Sequence, residues 1–215
     1  MRISTGSLSR FRSQAMANIC FNLRKSGRFE GHRGVQIIDT PLAGPKILEP
    51  RVFGDERGFF METWNAGVFA DAGLPGTWVQ DNHSRSQKGV LRGLHFQNPT
   101  PQGKLVRVTR GAVFDVAVEL RRSSATFGQW TGVELSEANK RLFWVPEGFA
   151  HGFLTLEDDT DFLYKCTAPY SPDTEFTLAW DDPAVGIEWP LGDIAPIISD
   201  KDAVGLSLAD APAFD

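Results

Sequence analysis

Cysteine is scarce in this chain: Cys20 and Cys166 are the only two among 215 residues, at no metal-ligand spacing, which argues against a disulfide framework. Long apolar runs are missing too. No stretch approaches the roughly 20 residues that a membrane helix needs, so the chain reads as soluble. Helical periodicity is hard to find, no glycine-rich dinucleotide loop is present, and no clean apolar stretch follows the first arginines as a secretory signal would require. Positive charge is in short supply over most of the length. The net charge is −5, yet residues 1–34 hold Arg2, Arg10, Arg12, Arg24, Lys25, Arg28 and Arg33 against Glu30 alone. The remainder therefore carries about −11, an acidic bulk that argues against general nucleic-acid binding and leaves room only for a local basic pocket around a phosphate.

What is present fits one domain over 35–215, preceded by a basic extension over 1–34. Three readings of the extension stay open: a disordered tail, a targeting segment, or residues ahead of a true start at Met16. From Val35 onward, short runs rich in Val, Phe, Leu and Trp alternate with Gly, Pro, Asn and Asp, the pattern of strands and turns. The clearest strand covers 111–121, with Phe114, Val116, Val118 and Leu120 on one face and Val113, Asp115, Ala117 and Glu119 on the other. Further strands are expected over 90–96, 105–108, 131–135, 141–145, 152–156, 160–167 and 176–180, with one short helix over 65–72. Many short strands in one domain predict an all-β barrel or jelly roll, an architecture that hides sheet edges.

Each histidine can be weighed separately. His32 lies in the extension, and His83, in a polar run, reads as a solvated loop residue. His95 stands in Leu91-Arg92-Gly93-Leu94-His95-Phe96, where strict alternation would send Arg92 and His95 to opposite faces. A bulge at Gly93 would turn both toward one cavity, as bulges beside active sites often do. A satisfied structural histidine is the competing reading. His151 closes Pro146-Glu147-Gly148-Phe149-Ala150-His151, which looks like the second half of the cupin signature. The first half, where metal cupins carry His-x-His, reads His95-Phe96-Gln97, so a metal site lacks one imidazole.

Several blocks, in order, resemble the dTDP-4-dehydrorhamnose 3,5-epimerases, a family of the cupin superfamily. They are Asp55-Glu56-Arg57-Gly58-Phe59-Phe60-Met61-Glu62, Gln80-Asp81-Asn82-His83-Ser84, and Gly89-Val90-Leu91-Arg92-Gly93-Leu94-His95-Phe96. Lys104, Gly111 to Val118, Pro146 to Phe153, Tyr164-Lys165-Cys166-Thr167 with Tyr170, and Ser199-Asp200-Lys201-Asp202 complete the set. The resemblance implies a cupin-like jelly roll with a few short helices, and epimerisation at C3 and C5 of dTDP-4-dehydro-6-deoxy-D-glucose without cofactor or metal. It implies His95 as base, Asp202 as the carboxylate that holds its ring, Tyr164 as acid on the opposite face, and Lys104 beside the developing oxyanion. Arg57 and Arg92 match diphosphate-binding residues, with Glu62, Gln80, Asn82 and Glu175 as polar contacts and His151 lining the pocket. Tyr170 matches a nucleotide or sugar contact, or else a packing anchor. Asp115 either orients a neighbour or is a hydrogen-bonded barrel carboxylate. Phe59-Phe60 is expected in the core. The family further implies a cytoplasmic homodimer in which Arg57 completes the partner's pocket. Two rivals keep the site and change the outcome or the chemistry: an enzyme inverting only C3 or only C5, and a metal-dependent cupin using His95 and His151. A non-catalytic sugar-nucleotide binding module is a third, which would not require His95, Lys104 and Tyr164 together.

Overall fold

The computed structural model describes residues 34–215; the readings of the extension, with Cys20 and His32, lie outside the described residues. Thirteen strands alternate with turns: β1 (Val35–Asp39), β2 (Lys46–Pro50), β3 (Val52–Asp55), β4 (Gly58–Met61), β5 (Gln80–Ser86), β6 (Leu91–Gln97) and β7 (Lys104–Arg110) come first. They are followed by β8 (Ala112–Glu119), β9 (Trp130–Ser136), β10 (Leu142–Val145), β11 (Phe149–Thr155), β12 (Thr160–Cys166) and β13 (Glu175–Thr177). One helix, α1 (Ala66–Asp71), starts where Asn65 accepts the N–H groups of Gly67 and Val68 with its side chain. Two single turns of 3-10 helix, Pro172–Thr174 and Asp202–Val204, complete the elements.

The strands form two main antiparallel sheets, β1-β2-β10-β7-β12-β5 and β13-β6-β11-β8-β9, and the separate hairpin β3-β4. Alternation explains how the sheets stack. Ile47, Val106, Val108, Phe143, Val145 and Phe162 of the first sheet form one buried cluster with Val113, Ala117, Val133, Leu135, Phe149 and Phe153 of the second. Phe162 is 1 % exposed and its ring lies 4.1 Å from that of Phe153, so it ties the sheets together at about 3–5 kcal/mol against truncation to alanine. The opposite face of β8 carries Phe114, Val116 and Val118, with Leu120 just past its end, into a second cluster, covered by Leu178, Val185, Trp189, Ala211 and Phe214 of the C-terminal segment. On the outer face of the six-stranded sheet, Leu48, Leu105, Leu142 and Trp144 pack under Phe69 of α1. This is a cupin-like jelly roll, as the residue pattern predicts.

Two expectations are corrected. Phe59 and Phe60 are 58 % and 68 % exposed on the hairpin, not core, because β3-β4 pairs only with itself and lays no face on either sheet. His83 is not in a loop: it lies on β5, pointing outward, where its Nε2 stands 3.0 Å from Asp161 Oδ1 and Arg85 grips the same carboxylate at 2.8 and 2.7 Å.

Candidate active site

The site begins with a register fault. Across β6 and β11, His95 faces His151 and Arg92 faces Phe153, so Gly93 and Leu94 together stand against Gly152. This is the bulge expected at Gly93. The extra residue cancels one step of alternation, and Arg92 and His95, three apart, fall on the same side of the sheet. Only glycines allow it: Gly93 sits at φ +106°, and a Cβ there would stand 2.6 Å from the His151 carbonyl oxygen. Arg92 reaches across to β5 and donates from Nε to Ser86 Oγ at 3.1 Å.

His95 is joined to the far end of the chain. Its Nε2 is 2.5 Å from Oδ1 of Asp202, 107 residues away, in the 3-10 turn Asp202–Val204. Asp202 is 4 % exposed. Burial alone would raise its carboxyl, but the hydrogen bond and charge of His95, helped by the Gly93 N–H and the Ser199 hydroxyl, outweigh burial and hold it below the usual carboxylate range. A carboxylate that accepts from Nε2–H leaves Nδ1 as the ring's lone-pair nitrogen.

Lys104, the first residue of β7, is buried, with Nζ 3.5 Å from the His95 carbonyl oxygen. Desolvation lowers its pKa from the ordinary lysine value, with the nearby Cys166, Glu175 and Asp115 opposing the shift. Tyr164, on β12, pairs with Val106 of β7 and Asn82 of β5, and its ring lies 5.9 Å from Phe162. Burial raises its pKa, so the phenol keeps its proton at neutral pH. Asn82 donates to Cys166 Sγ at 3.7 Å and accepts from Gln80 at 3.0 Å, while Gln80 also accepts the backbone N–H of Tyr170 at 2.7 Å. Glu175 accepts the Tyr170 hydroxyl at 2.8 Å and pairs with Lys201 at 2.5 Å. Burial would push the Glu175 carboxyl up, but those two partners bring it below its ordinary value.

His151 faces the same interior, its Nε2 2.9 Å from Asp115 Oδ1 and its ring on Phe162. Both readings of Asp115 meet in that contact, for it is a hydrogen-bonded barrel carboxylate and its partner is the His151 ring. Two site residues stand apart: Arg57 is 86 % exposed at the hairpin tip and held by Asp55, and Glu62 accepts from Asn65 at 3.1 Å outside the cluster. The chain's own fold brings neither to His95. Lys201, to which the residue pattern gave no role, belongs beside Glu175; the only signal for it is its place next to Asp202. Among the described residues no three His, Cys, Asp or Glu side chains gather as a metal site.

A jelly roll whose interior joins a carboxylate-held imidazole, a buried amine and a half-buried phenol belongs with the cupin-like enzymes that move protons. Comparison narrows the class. The family model for dTDP-4-dehydrorhamnose 3,5-epimerase matches residues 39–210, and the chain belongs to that family. It is 54 % identical to the dTDP-4-dehydrorhamnose 3,5-epimerase of Methanothermobacter thermautotrophicus over 180 residues, 83 % of this chain and 97 % of that one. To the enzyme of the same name from Pseudomonas aeruginosa it is 56 % identical over 178 residues, 81 % of this chain and 98 % of that one. The crystal structure of dTDP-6-deoxy-D-glucose-3,5-epimerase from Legionella pneumophila Philadelphia 1, in complex with dTDP-4-keto-L-rhamnose, superposes with a TM-score of 0.79 at 53 % identity. That match covers 81 % of this chain and 93 % of the other.

Proposed function

We propose that the chain inverts C3 and C5 of dTDP-4-dehydro-6-deoxy-D-glucose, giving dTDP-4-dehydro-L-rhamnose, by proton transfer beside the C4 ketone. The observation that carries this reading is the His95–Asp202 pair at 2.5 Å with the Lys104 amine 3.5 Å from the same residue's carbonyl. Nδ1 of His95 takes the proton from the carbon, and the electrons of that C–H bond move onto O4 as an enolate. Asp202 steadies the imidazolium that forms. The Lys104 ammonium stabilises the enolate more than the neutral ketone, a differential worth about 3–4 kcal/mol for donors of this kind. Tyr164 returns a proton to the opposite face of the same carbon, and the cycle repeats at the second carbon after both groups recover their protonation states.

Binding follows from charge and shape. Arg92 and Arg57 suit a diphosphate, Tyr170 offers a ring to the thymine, and Gln80, Asn82, Glu175 and His151 supply polar contacts. Because Arg57 and Glu62 lie on a hairpin that leaves Val52, Phe53, Phe59 and Phe60 exposed, a second copy of the chain is the natural place for them to act, and we read the enzyme as a homodimer. The same reading places it in the cytoplasm with its nucleotide-linked substrate; among the described residues no helix is long and apolar enough to cross a membrane.

The test is NMR of dTDP-4-keto-6-deoxyglucose incubated with the protein in D₂O, followed by stereospecific reduction. Deuterium at both C3 and C5 with an L-rhamno product is expected. Label at one carbon only means a single inversion, and no label at either removes the epimerase reading.

A further inference from the structure

Among the described residues two imidazole–carboxylate pairs face the barrel interior, and the mechanism uses one of them. The other, His151 with Asp115, stands next to it: His95 and His151 are partners across the β6–β11 pairing, a placement that brings Cβ atoms to about 5 Å. Both rings are held at the same nitrogen, His95 by Asp202 at 2.5 Å and His151 by Asp115 at 2.9 Å. His151 is the more tightly framed of the two, since its ring also lies 6.3 Å from that of Phe162 at an interplanar angle of 24°.

Asp115 itself cannot meet a ligand. It is fully buried, and its Oδ2 is one of only four sealed side-chain polar atoms without a hydrogen bond among the described residues. A carboxylate kept so far from water is costly unless it serves its neighbours. Those neighbours are the His151 ring, which it meets at Nε2, and the Lys104 ammonium, whose charge works against the upward shift that burial imposes on its carboxyl. The other side of His151 differs: among the described residues no group hydrogen-bonds Nδ1, and the side chain keeps 7 % of its surface exposed.

We propose that Asp115 is a positioning residue for the epimerisation: by taking Nε2–H of His151 it fixes that ring so that Nδ1, carrying the lone pair, accepts a hydrogen bond from a sugar hydroxyl beside the base His95. Asp115 acts on the substrate only through His151. The inference rests on the epimerase reading, because the hydroxyl it names flanks the ketone of that substrate. It also gives a role to a fully buried carboxylate that stands between Val113 and Ala117 on the inner face of β8.

The test has two arms. In protein labelled with ¹⁵N at histidine, the His151 resonances, assigned by their loss in His151→Gln, should report a proton on Nε2 and none on Nδ1 at neutral pH; a proton on Nδ1, alone or with one on Nε2, overturns the proposal. This arm needs no turnover and no variant of Asp115, so it stands even if substitutions there fail to fold. In the second arm, Asp115→Asn should lower kcat on the order of 10- to 100-fold with KM and dTDP affinity unchanged, the size seen when the partner of an essential histidine is lost. The double variant Asp115→Asn with His151→Gln should be no slower than His151→Gln alone. Full kcat in Asp115→Asn, or additive losses in the double variant, sinks the idea. Failure of the epimerase reading looks different: the parent protein would exchange no C3 or C5 hydrogen at all.

Discussion

At the scale of single residues, Lys104 shows how burial sets a pH limit. An ammonium in an environment that water barely reaches is less stable than one in water, so the proton leaves at a lower pH than from an ordinary lysine, near 10.4. Tyr164 is shifted the other way by the same cause and holds its proton past the usual value of about 10. As pH rises, burial thus brings forward the loss of charge on the oxyanion partner and delays the loss of the acid's proton. The alkaline fall of kcat should belong to Lys104 and begin below the pH at which a solvated lysine titrates. Lys104→Arg keeps its charge well past the range in which lysine titrates, so that limb should move upward even though the misplaced guanidinium lowers the plateau. A profile of kcat against pH for the two proteins checks this; an unmoved alkaline limb would assign it to another group.

At the scale of elements, the bulge on β6 carries the site, and its tolerance is narrow. A Cβ on Gly152 would stand 2.5 Å from the Arg92 carbonyl oxygen and 3.0 Å from Leu94 Cδ2. Gly152→Ala must therefore push β6 and β11 apart where His95 leaves the sheet. The expected cost is about 1–3 kcal/mol, or roughly 2–4 °C in Tm per kcal/mol for a chain of this size. Thermal denaturation should show that loss and steady-state kinetics a fall in kcat larger than the rise in KM; a variant matching the parent in both would mean that the close approach is not what places His95. The bulge was legible beforehand because Arg92-Gly93-Leu94-His95 breaks alternation at a glycine, a local signal. The faces of β8 were legible for the same reason. β5 was not: Gln80–Ser86 is polar on both faces, and only its pairing with β12, some 80 residues on, makes it a strand. The helix Ala66–Asp71 announces itself through Asn65, whereas the aromatic Phe59-Phe60 reads as core because nothing nearby says that its hairpin folds away from the barrel. Likewise His95–Asp202 and His151–Asp115 join residues 107 and 36 apart, and spacing alone points to neither.

At the scale of the whole molecule, one chain places His95, Asp202, Lys104, Tyr164 and Arg92 around one interior but leaves Arg57 on an exposed hairpin. If Arg57 serves a neighbouring copy, the two defects can be separated between subunits. Arg57→Ala leaves the barrel intact and spoils the partner's diphosphate contact; His95→Ala spoils the barrel and leaves the hairpin intact. Each homodimer should then be nearly inactive. After the two variants are mixed and exchange subunits, half of the dimers hold one of each. In such a dimer the barrel with His95 receives a good hairpin and the other receives neither, so activity should recover to about a quarter of the parent's, given a symmetric two-fold interface. Were Arg57 to act on its own barrel, every site in the mixture would carry one defect and nothing would be regained. Epimerase assays on the mixed variants distinguish the two arrangements, and native mass spectrometry confirms that mixing has produced dimers with one subunit of each kind. Absence of recovery in a mixture shown to hold such mixed dimers would mean that Arg57 does not complete the partner's site.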